Sequence, residues 1–218
     1  MRKILTGIAT AVLATFMVGS LAFAQSSGSF SASAGRAECA ITDSTGVLTG
    51  GIGVTSLPDV TVKVSSGSGV ALVITPSVVT GLFTDNKITS TSSTSTQNVG
   101  LRLKVSVDGS TTNVIPEEGS DGVIYDQRFI QVSSSVISNL AGCTALAGTT
   151  TACFQLVEST LSAHSFNFYI SNLASGPHTV HAEWSIVGGT SGEAACVGPG
   201  TLTVTQVKNF SFNSPLTF

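Results

Sequence analysis

The amino-acid sequence predicts an all-β protein that folds as a single antiparallel β-sandwich of about eight to ten strands after a cleaved signal peptide. Three observations support this prediction. Apolar and polar residues alternate with a period of two, and convincing helical periodicity is missing after the signal segment. Val, Ile and Thr are abundant, and their β-branched side chains suit a pleated sheet. Gly, Ser, Asn and Asp separate the alternating runs, as turn residues do.

Two runs show the alternation most clearly. The run VTVKV places Val60, Val62 and Val64 on one face of a strand. The run LRLKVSV, residues 101–107, follows the same pattern and leads into an Asp-Gly pair that suits a tight turn. Five prolines are interpreted as marking the edges of such runs, where a missing N–H costs no ladder bond: Pro58, Pro76, Pro116, Pro177 and Pro199.

The N-terminal residues are typical of a bacterial export signal. Arg2 and Lys3 precede a mostly apolar run that closes on Ala22-Phe23-Ala24, the small-residue pattern that a signal peptidase reads. We therefore predict a signal peptide over 1–24, a flexible N-terminal lead over 25–38 and the β-sandwich domain over 39–218. The mature chain is expected to be secreted, periplasmic or at the cell surface, and not to be an integral membrane protein.

The net charge of the mature chain limits the classes of partner that we expect. The chain has nine basic and twelve acidic residues, and two of the basic ones leave with the signal, so the mature balance is 7 − 12, or −5. Nucleic acid and anionic membranes both select a basic surface. We therefore expect no nucleic-acid partner; the partner is expected to be the protein itself or an extracellular or cell-surface polymer.

Four cysteines remain in the mature chain. An even number in an oxidising compartment predicts two disulfides, for which three connectivities are possible. The short spacing favours a local Cys143–Cys153 bridge, which leaves Cys39 to pair with Cys196. Zinc is the alternative, but the chain has no Cys-x-x-Cys pair.

Residues 164–184, HSFNFYISNLASGPHTVHAEW, contain all three histidines and the single tryptophan. The segment is interpreted as two alternating strands joined by a turn. His178 and His181 are three residues apart, so on one strand they point to opposite faces and cannot share an ion. His181 and Glu183 share a face about 7 Å apart, but no third ligand is evident. We expect no metal, no cofactor and no catalytic residue, and we place Trp184 in the core.

Weaker candidates remain open. His181, Glu183 and Tyr169 are candidates for a shared functional face on the surface. A carbohydrate-binding module would need exposed aromatics on one face, and Tyr125, Phe129 and Tyr169 are the candidates. A hydrolase would need a cleft that holds Glu183 with Glu117 or Asp126. The acidic loop from Glu117 to Asp126 is a further candidate, for calcium, although its spacing matches no standard calcium loop.

The run FNFYISNLASGPHTVHAEW resembles a pattern in extracellular bacterial and phage β-sandwich modules, both jelly-roll domains of the C1q/TNF-like kind and Ig-like domains. The resemblance covers some 20 residues and identifies no specific family. It implies a jelly-roll or Ig-like sandwich and a module that binds, adheres or assembles. The leading hypothesis is thus a secreted non-enzymatic structural or interaction protein, with a carbohydrate-binding module as the first alternative and a sandwich hydrolase as the second.

Overall fold

A computed structural model describes residues 28–41, 48–49, 55–66, 69–89, 94–116, 122–133, 152–188 and 192–208. These residues form only strands and their connections, so the predicted all-β class is confirmed. There are eleven strands in the described part of the chain, slightly more than predicted: β1 Phe30–Gly35, β2 Ala40–Ile41, β3 Leu48–Thr49, β4 Val60–Val64, β5 Val70–Thr89, β6 Thr94–Val107, β7 Val123–Ser133, β8 Ala152–Ser165, β9 Phe168–Ser171, β10 Gly176–Gly188 and β11 Glu193–Lys208.

Two antiparallel sheets pack face to face as a sandwich. Sheet I has the strand order β1-β11-β5-β8, and β9 also pairs with β5. Sheet II has the order β4-β10-β6-β7. The short strands β2 and β3 pair with each other. Because side chains alternate along each strand, every strand of the two sheets contributes one row of residues to the interior.

Pro76 lies inside β5, a central strand, which corrects the prediction that it marks an edge. The N–H of Phe166 donates to the Pro76 carbonyl at 3.3 Å, but Pro76 has no N–H to donate in return. The ladder is interrupted at this point, and β8 ends and β9 begins on either side of the gap without a change of register. One missing donor thus divides what would be a single long strand.

The predicted flexible lead, residues 25–38, contains a strand, which is a second correction. β1 pairs with β11 along its whole length, from Phe30 opposite Thr205 to Gly35 opposite Gly200. The hydroxyl of Ser33 donates to the Pro58 carbonyl beside the other sheet. The run FSASAG has low strand propensity, so its order depends on these tertiary contacts and not on its composition.

The two strands of the His-rich segment lie in different sheets. β9 pairs with β5 in sheet I, whereas β10 pairs with β4 and β6 in sheet II. Residues 172–175 therefore cross from one sheet to the other and do not close a hairpin. Alternation predicted both strands and the inward positions of Phe168, Ile170, Val180 and Ala182 correctly, but it carries no information on which strand is the neighbour.

The interior changes character along the strands. One end, which we call the apolar end, is filled by aliphatic and aromatic side chains that are at most 5 % exposed. It contains Val62, Val64, Leu72, Ile74, Leu103, Val105, Val107, Phe168, Ile170, Val180, Ala182, Leu202 and Val204. Burial of this apolar surface is the main source of stability in the sandwich.

The opposite end, which we call the polar end, begins where β5 presents Thr80 to the interior. The inward row of β5 continues through Leu82 to Thr84 and Asn86, and the two threonines and the asparagine are at most 1 % exposed. The Thr84 hydroxyl and both polar atoms of the Asn86 amide lack a hydrogen-bond partner. Such groups lose hydration without compensation, at a cost of about 1–3 kcal/mol each.

A disulfide joins Cys39 to Cys196 on the outer face of sheet I, at the polar end, as predicted. The two Cα atoms are 5.5 Å apart, across a sequence separation of 157 residues. Leu48 of β3 and Phe83 of β5 pack around the bridge as a small second core. The predicted Cys143–Cys153 bridge lies outside the described residues, since Cys143 and the side chain of Cys153 are not among them.

Gly81 makes room for this disulfide. It lies on β5 directly opposite Cys196. A Cβ atom at this position would come within 2.7 Å of the Cys196 Sγ and closer still to the Cys39 Sγ. A side chain and the bridge therefore cannot occupy this point together.

Candidate functional site

The outer face of sheet II carries a connected set of charged groups. His181 Nδ1 lies 2.6 Å from a carboxylate oxygen of Asp59, and His181 Nε2 lies 3.8 Å from Glu183. Lys104 on β6 is directly opposite Glu183, and its Nζ lies 3.1 Å from that carboxylate. The structure thus places His181 and Glu183 on the same face, as their spacing predicts.

Tyr169 does not join this face. It lies on β9 in sheet I, between the inward-facing Phe168 and Ile170, so its side chain points away from sheet II. The predicted face of three residues is therefore reduced to His181 and Glu183. Asp59, which precedes β4, and Lys104 on β6 join them because β4 and β6 both pair with β10, a neighbour relation that the sequence pattern does not reveal.

His178 points into the sandwich and is a structural residue. Its Nδ1 lies 2.6 Å from Asp108 Oδ2, and its Nε2 lies 2.8 Å from the Ala174 carbonyl. The other Asp108 oxygen accepts a hydrogen bond from the Thr179 N–H at 2.9 Å. The pair connects the end of β6 to the start of β10.

These contacts move both pKa values. Burial disfavours the charged form of His178, but the Ala174 carbonyl and the Asp108 carboxylate outweigh this effect and raise the pKa of His178 above its usual 6.5. Hydrogen bonds from the Thr179 N–H and from His178 lower the pKa of Asp108 below its usual 3.8. Each group therefore favours the charged form of the other.

A third histidine belongs to a polar cluster between the sheets that the sequence did not reveal. His164 Nε2 lies 2.7 Å from the Ser162 hydroxyl and 3.4 Å from Asp126 Oδ2. Thr80 donates to the same Asp126 oxygen at 2.5 Å. Ser162 and His164 are two residues apart on β8, so the alternation of side chains could have predicted that they share a face. Asp126 comes from the other sheet, and the sequence gives no sign of its approach.

The residue types in this cluster match a Ser-His-Asp triad, but the geometry does not. In a triad the base receives the serine proton on one ring nitrogen while the carboxylate holds the other nitrogen. Here Ser162 and Asp126 both contact Nε2 of His164. The serine therefore has no oriented base, and the arrangement suits a bridge between the sheets.

A β-bulge brings Asp126 into this bridge. The register of β6 with β7 shifts at Tyr125, so Tyr125 and Asp126 both point toward sheet I. The Tyr125 hydroxyl donates to the His164 carbonyl. Burial raises the pKa of Tyr125 to about 12, and this effect outweighs the hydrogen bond from the Val78 N–H, which acts to lower the pKa.

The residues proposed for sugar binding or hydrolysis do not converge. Tyr125 points between the sheets, Phe129 is 63 % exposed on β7, and Tyr169 lies on the outside of sheet I. Glu183 lies on the outside of sheet II, whereas Asp126 points inward. Glu117, Glu118 and Asp121 of the proposed calcium loop lie outside the described residues. Within the described ranges, no group of three or more His, Cys, Asp or Glu side chains is placed to hold a metal ion.

A depression lies on the outer face of sheet II. Its volume is about 630 Å³, and its wall includes Arg102 and Lys104 of β6 with Glu183, Trp184 and Ser185 of β10. Trp184 also packs against the core, so the predicted core role of this residue is only part of its environment.

The outer face of sheet I is different. Among the described residues, the outward positions of sheet I from the disulfide toward the apolar end carry hydroxyl, methyl, aliphatic and aromatic side chains, together with the Asn167 amide, whose oxygen accepts a hydrogen bond from Thr75 at 2.7 Å. We call this arrangement the neutral face. It consists of Phe30, Ala32, Ala34, Val73, Thr75, Ser77, Val79, Leu161, Ala163, Ser165, Asn167, Tyr169, Thr201, Thr203 and Thr205. Charged residues return on the outer side of β5 only at Asp85 and Lys87, which form an ion pair at 2.6 Å.

In the part of the chain that the structure describes, we find no helix with the length and apolar character needed to cross a membrane. No protein-family model matches the sequence, and no curated protein matches it.

Proposed function

We propose that this protein is an exported, non-enzymatic β-sandwich module that works by association, and that its neutral face packs against the same face of a second copy. The segment 1–24 serves as its signal peptide in this proposal. The Cys39–Cys196 disulfide fits the oxidising compartment that export would provide.

The neutral face carries this proposal. Two copies of a chain with a mature net charge of −5 repel each other, and the repulsion is weakest where neither surface bears a charge. Phe30 on β1 and Leu161 on β8, at the two lateral edges of this face, are 66 % and 42 % exposed. Desolvating them in a two-fold contact would be favourable, because a dimer of identical patches is self-complementary by symmetry.

The size of the face sets the expected strength. Four strands and about seven residues along each give roughly 14 Å by 20 Å, from strand spacings of about 4.8 Å and a rise of about 3.3 Å. A standard stable interface buries about 800 Å² on each partner. We therefore expect weak, concentration-dependent association and not a permanent dimer.

Sedimentation velocity of the exported protein at increasing concentration tests the proposal. The wild type is expected to shift from monomer toward dimer. Thr203→Lys places a charge at the centre of the neutral face and should abolish the shift, because the ammonium group would have to be desolvated without a partner.

Thr61→Lys is the matched control. Thr61, like Thr203, is an outward-facing threonine on a strand, but it is exposed and lies on β4 in sheet II. It should leave the association unchanged. A wild type that stays monomeric throughout, or a Thr61→Lys variant as impaired as Thr203→Lys, would refute the proposal.

A further inference from the structure

We infer that a pocket between the two sheets binds a small arylalkanoate such as phenylpropionate, with the ring inside the pocket and the carboxylate on Arg36. This pocket, which we call the edge pocket, lies between β1 at the edge of sheet I and the segment that precedes β4 at the edge of sheet II. It is on the inner side of sheet I, whereas the neutral face is the outer side. The inference is therefore independent of the proposed self-association.

The walls of the edge pocket are mostly apolar and come from both sheets. They include the side chains of Leu57, Pro58, Val78, Trp184 and Val197. Backbone bonds hold the wall on the side of sheet II in place. The Leu57 N–H donates to the Ala182 carbonyl at 3.0 Å, and the Trp184 N–H donates to the Thr55 carbonyl at 2.8 Å. Because the wall is already ordered, little conformational freedom is lost when a ligand binds.

Glycine at two wall positions keeps the edge pocket open. Gly35 on β1 and Gly200 on β11 are directly opposite each other, so neighbouring strands lack a side chain at the same level. A Cβ atom on Gly35 would come 3.2 Å from the Leu57 Cδ2, and one on Gly200 would collide with the Val78 side chain. Apolar groups around an unfilled space lack van der Waals partners on one side. An apolar ligand would supply those partners.

The size and the lining of the edge pocket favour an aromatic ring. Its volume is about 260 Å³, whereas an apolar cavity of about 150 Å³ is enough for one benzene ring. The additional space fits a short chain attached to the ring. Trp184 presents an indole against which a ligand ring can stack with an offset or pack edge to face. A phenyl ring on a short chain therefore matches both the volume and the wall.

Arg36 determines the chemistry of the other end of the ligand. Of the described residues that line the edge pocket, Arg36 alone is charged. It follows β1 and is exposed, so the pocket reaches solvent at this residue. None of the described Asp and Glu side chains forms an ion pair with Arg36. The planar fork of N–H donors on a guanidinium matches a carboxylate, so an acid is favoured over an alcohol or an amine of the same shape.

Titration of the purified protein with phenylpropionate tests the inference. Trp184 is the single tryptophan of the chain, so its fluorescence reports directly on the edge pocket. Phenylpropanol and phenylpropylamine keep the ring and the chain but replace the carboxylate, and propionate keeps the carboxylate without the ring. We expect saturable binding of phenylpropionate and at least about tenfold weaker binding of the other three compounds, a difference of about 1.4 kcal/mol.

Substitution of Arg36 separates the edge pocket from the outer depression, which Trp184 also borders. Arg36→Gln should weaken phenylpropionate about tenfold and leave phenylpropanol unchanged, because only the acid contacts the guanidinium. A folding defect would weaken both compounds equally. Lys63→Gln is the matched control, since it removes one positive charge from β4 at a residue outside the pocket. Arg36→Lys keeps the charge and should retain the preference for the acid.

A second variant fills the edge pocket. Gly35→Val directs a branched side chain toward Leu57 and should weaken phenylpropionate and phenylpropanol alike, by about tenfold or more. Ala34→Val is its control, because Ala34 is the neighbouring residue on β1 and faces outward. It should leave binding unchanged. Urea unfolding of both variants verifies that each is folded, and the Arg36→Gln comparison decides the question if Gly35→Val does not fold.

Four outcomes would overturn the inference. The first is that phenylpropionate does not bind. The second is that phenylpropanol binds as tightly as phenylpropionate, which would make the pocket a general apolar site. The third is that Lys63→Gln costs as much affinity as Arg36→Gln, which would make the effect one of overall charge. The fourth is that a folded Gly35→Val variant binds phenylpropionate as the wild type does, which would place the ligand elsewhere.

Discussion

β5, β6, β10 and β11 run through both ends of the sandwich interior, but the two ends are filled by different kinds of side chain. At the apolar end, β5 contributes Leu72 and Ile74 to a dry core, and β9 contributes Phe168. At the polar end, the same row of β5 contributes Thr80, Thr84 and Asn86. Continuous strands therefore do not guarantee a uniform core, and apolar burial and polar contacts can be concentrated at opposite ends of one sheet.

The polar end has other means of holding its sheets together. Asp126 reaches across from β7 to Thr80 and His164, and Arg128 donates to the Thr160 hydroxyl at 2.6 Å. The Cys39–Cys196 disulfide clamps the outside of sheet I at the same level. Specific bonds thus supplement apolar burial at the polar end.

The largest expected effect comes from deleting a core aromatic at the apolar end. Phe168→Ala, at a side chain that is 2 % exposed, should reduce the free energy of unfolding by about 3–5 kcal/mol through lost burial and a cavity. Phe154→Ala makes the same change at a half-buried position on the inward row of β8 near the polar end. Urea unfolding should show a smaller loss of unfolding free energy for Phe154→Ala than for Phe168→Ala. Equal losses would contradict the proposed difference between the two ends.

Removing the disulfide should weaken the polar end in particular. The double variant Cys39→Ala with Cys196→Ala should lose about 2–4 kcal/mol, in part because the bridge restricts the unfolded chain. Hydrogen exchange measured by mass spectrometry should accelerate most in β2, β3 and the adjoining part of β11, since these strands pack at the bridge. If the double variant accelerated exchange in β9 and β4, at the apolar end, as much as in these strands, the bridge would not act locally.

Two isosteric substitutions on the inward row of β5 should change the free energy of unfolding in opposite directions. Thr80→Val removes a hydroxyl that donates to Asp126, so we expect a loss of about 1–3 kcal/mol. Thr84→Val removes a buried hydroxyl that has no partner, so we expect a gain of about 1 kcal/mol. Chemical denaturation measures both. Destabilisation by Thr84→Val would mean that its hydroxyl makes a contact in solution.

The smallest effect concerns the ion pair of His178 with Asp108, which closes the apolar end. Because folding raises the pKa of His178, its contribution is complete below pH 6.5 and is lost as pH rises through the raised value. Because folding lowers the pKa of Asp108, its contribution is present above pH 3.8 and is lost as pH falls through the lowered value. The pair therefore stabilises most between pH 3.8 and pH 6.5.

His178→Asn should lower the stability in that window by about 1 kcal/mol, the scale of one hydrogen bond. It should also flatten the decline on the alkaline side. Urea unfolding across a pH series provides the measurement, and Asp108→Asn should flatten the same limb, because it removes the partner of the imidazolium. If stability still falls steeply at alkaline pH in His178→Asn, another group causes the fall and the prediction is wrong.

The alternating runs were sufficient to predict the all-β class, the faces of His178 and His181, and the burial of Val180 and Ala182. The even number of cysteines, the expected oxidising compartment and the short spacing of Cys143 and Cys153 were sufficient to predict the Cys39–Cys196 bridge. These features are local or follow from elimination. The period of two shows which side of a strand a residue faces, and that is enough to separate core positions from surface positions.

The same period says nothing about which strand is the neighbour, and the remaining features depend on neighbours. β9 and β10 were expected as one hairpin but lie in different sheets, and the FSASAG run was expected to be flexible but pairs with β11. Asp126 meets His164 only because a bulge turns it inward and the other sheet lies opposite. The neutral face and the Arg102–Lys104 depression likewise exist only once separate strands lie side by side, because a surface is assembled from residues that are distant in the chain.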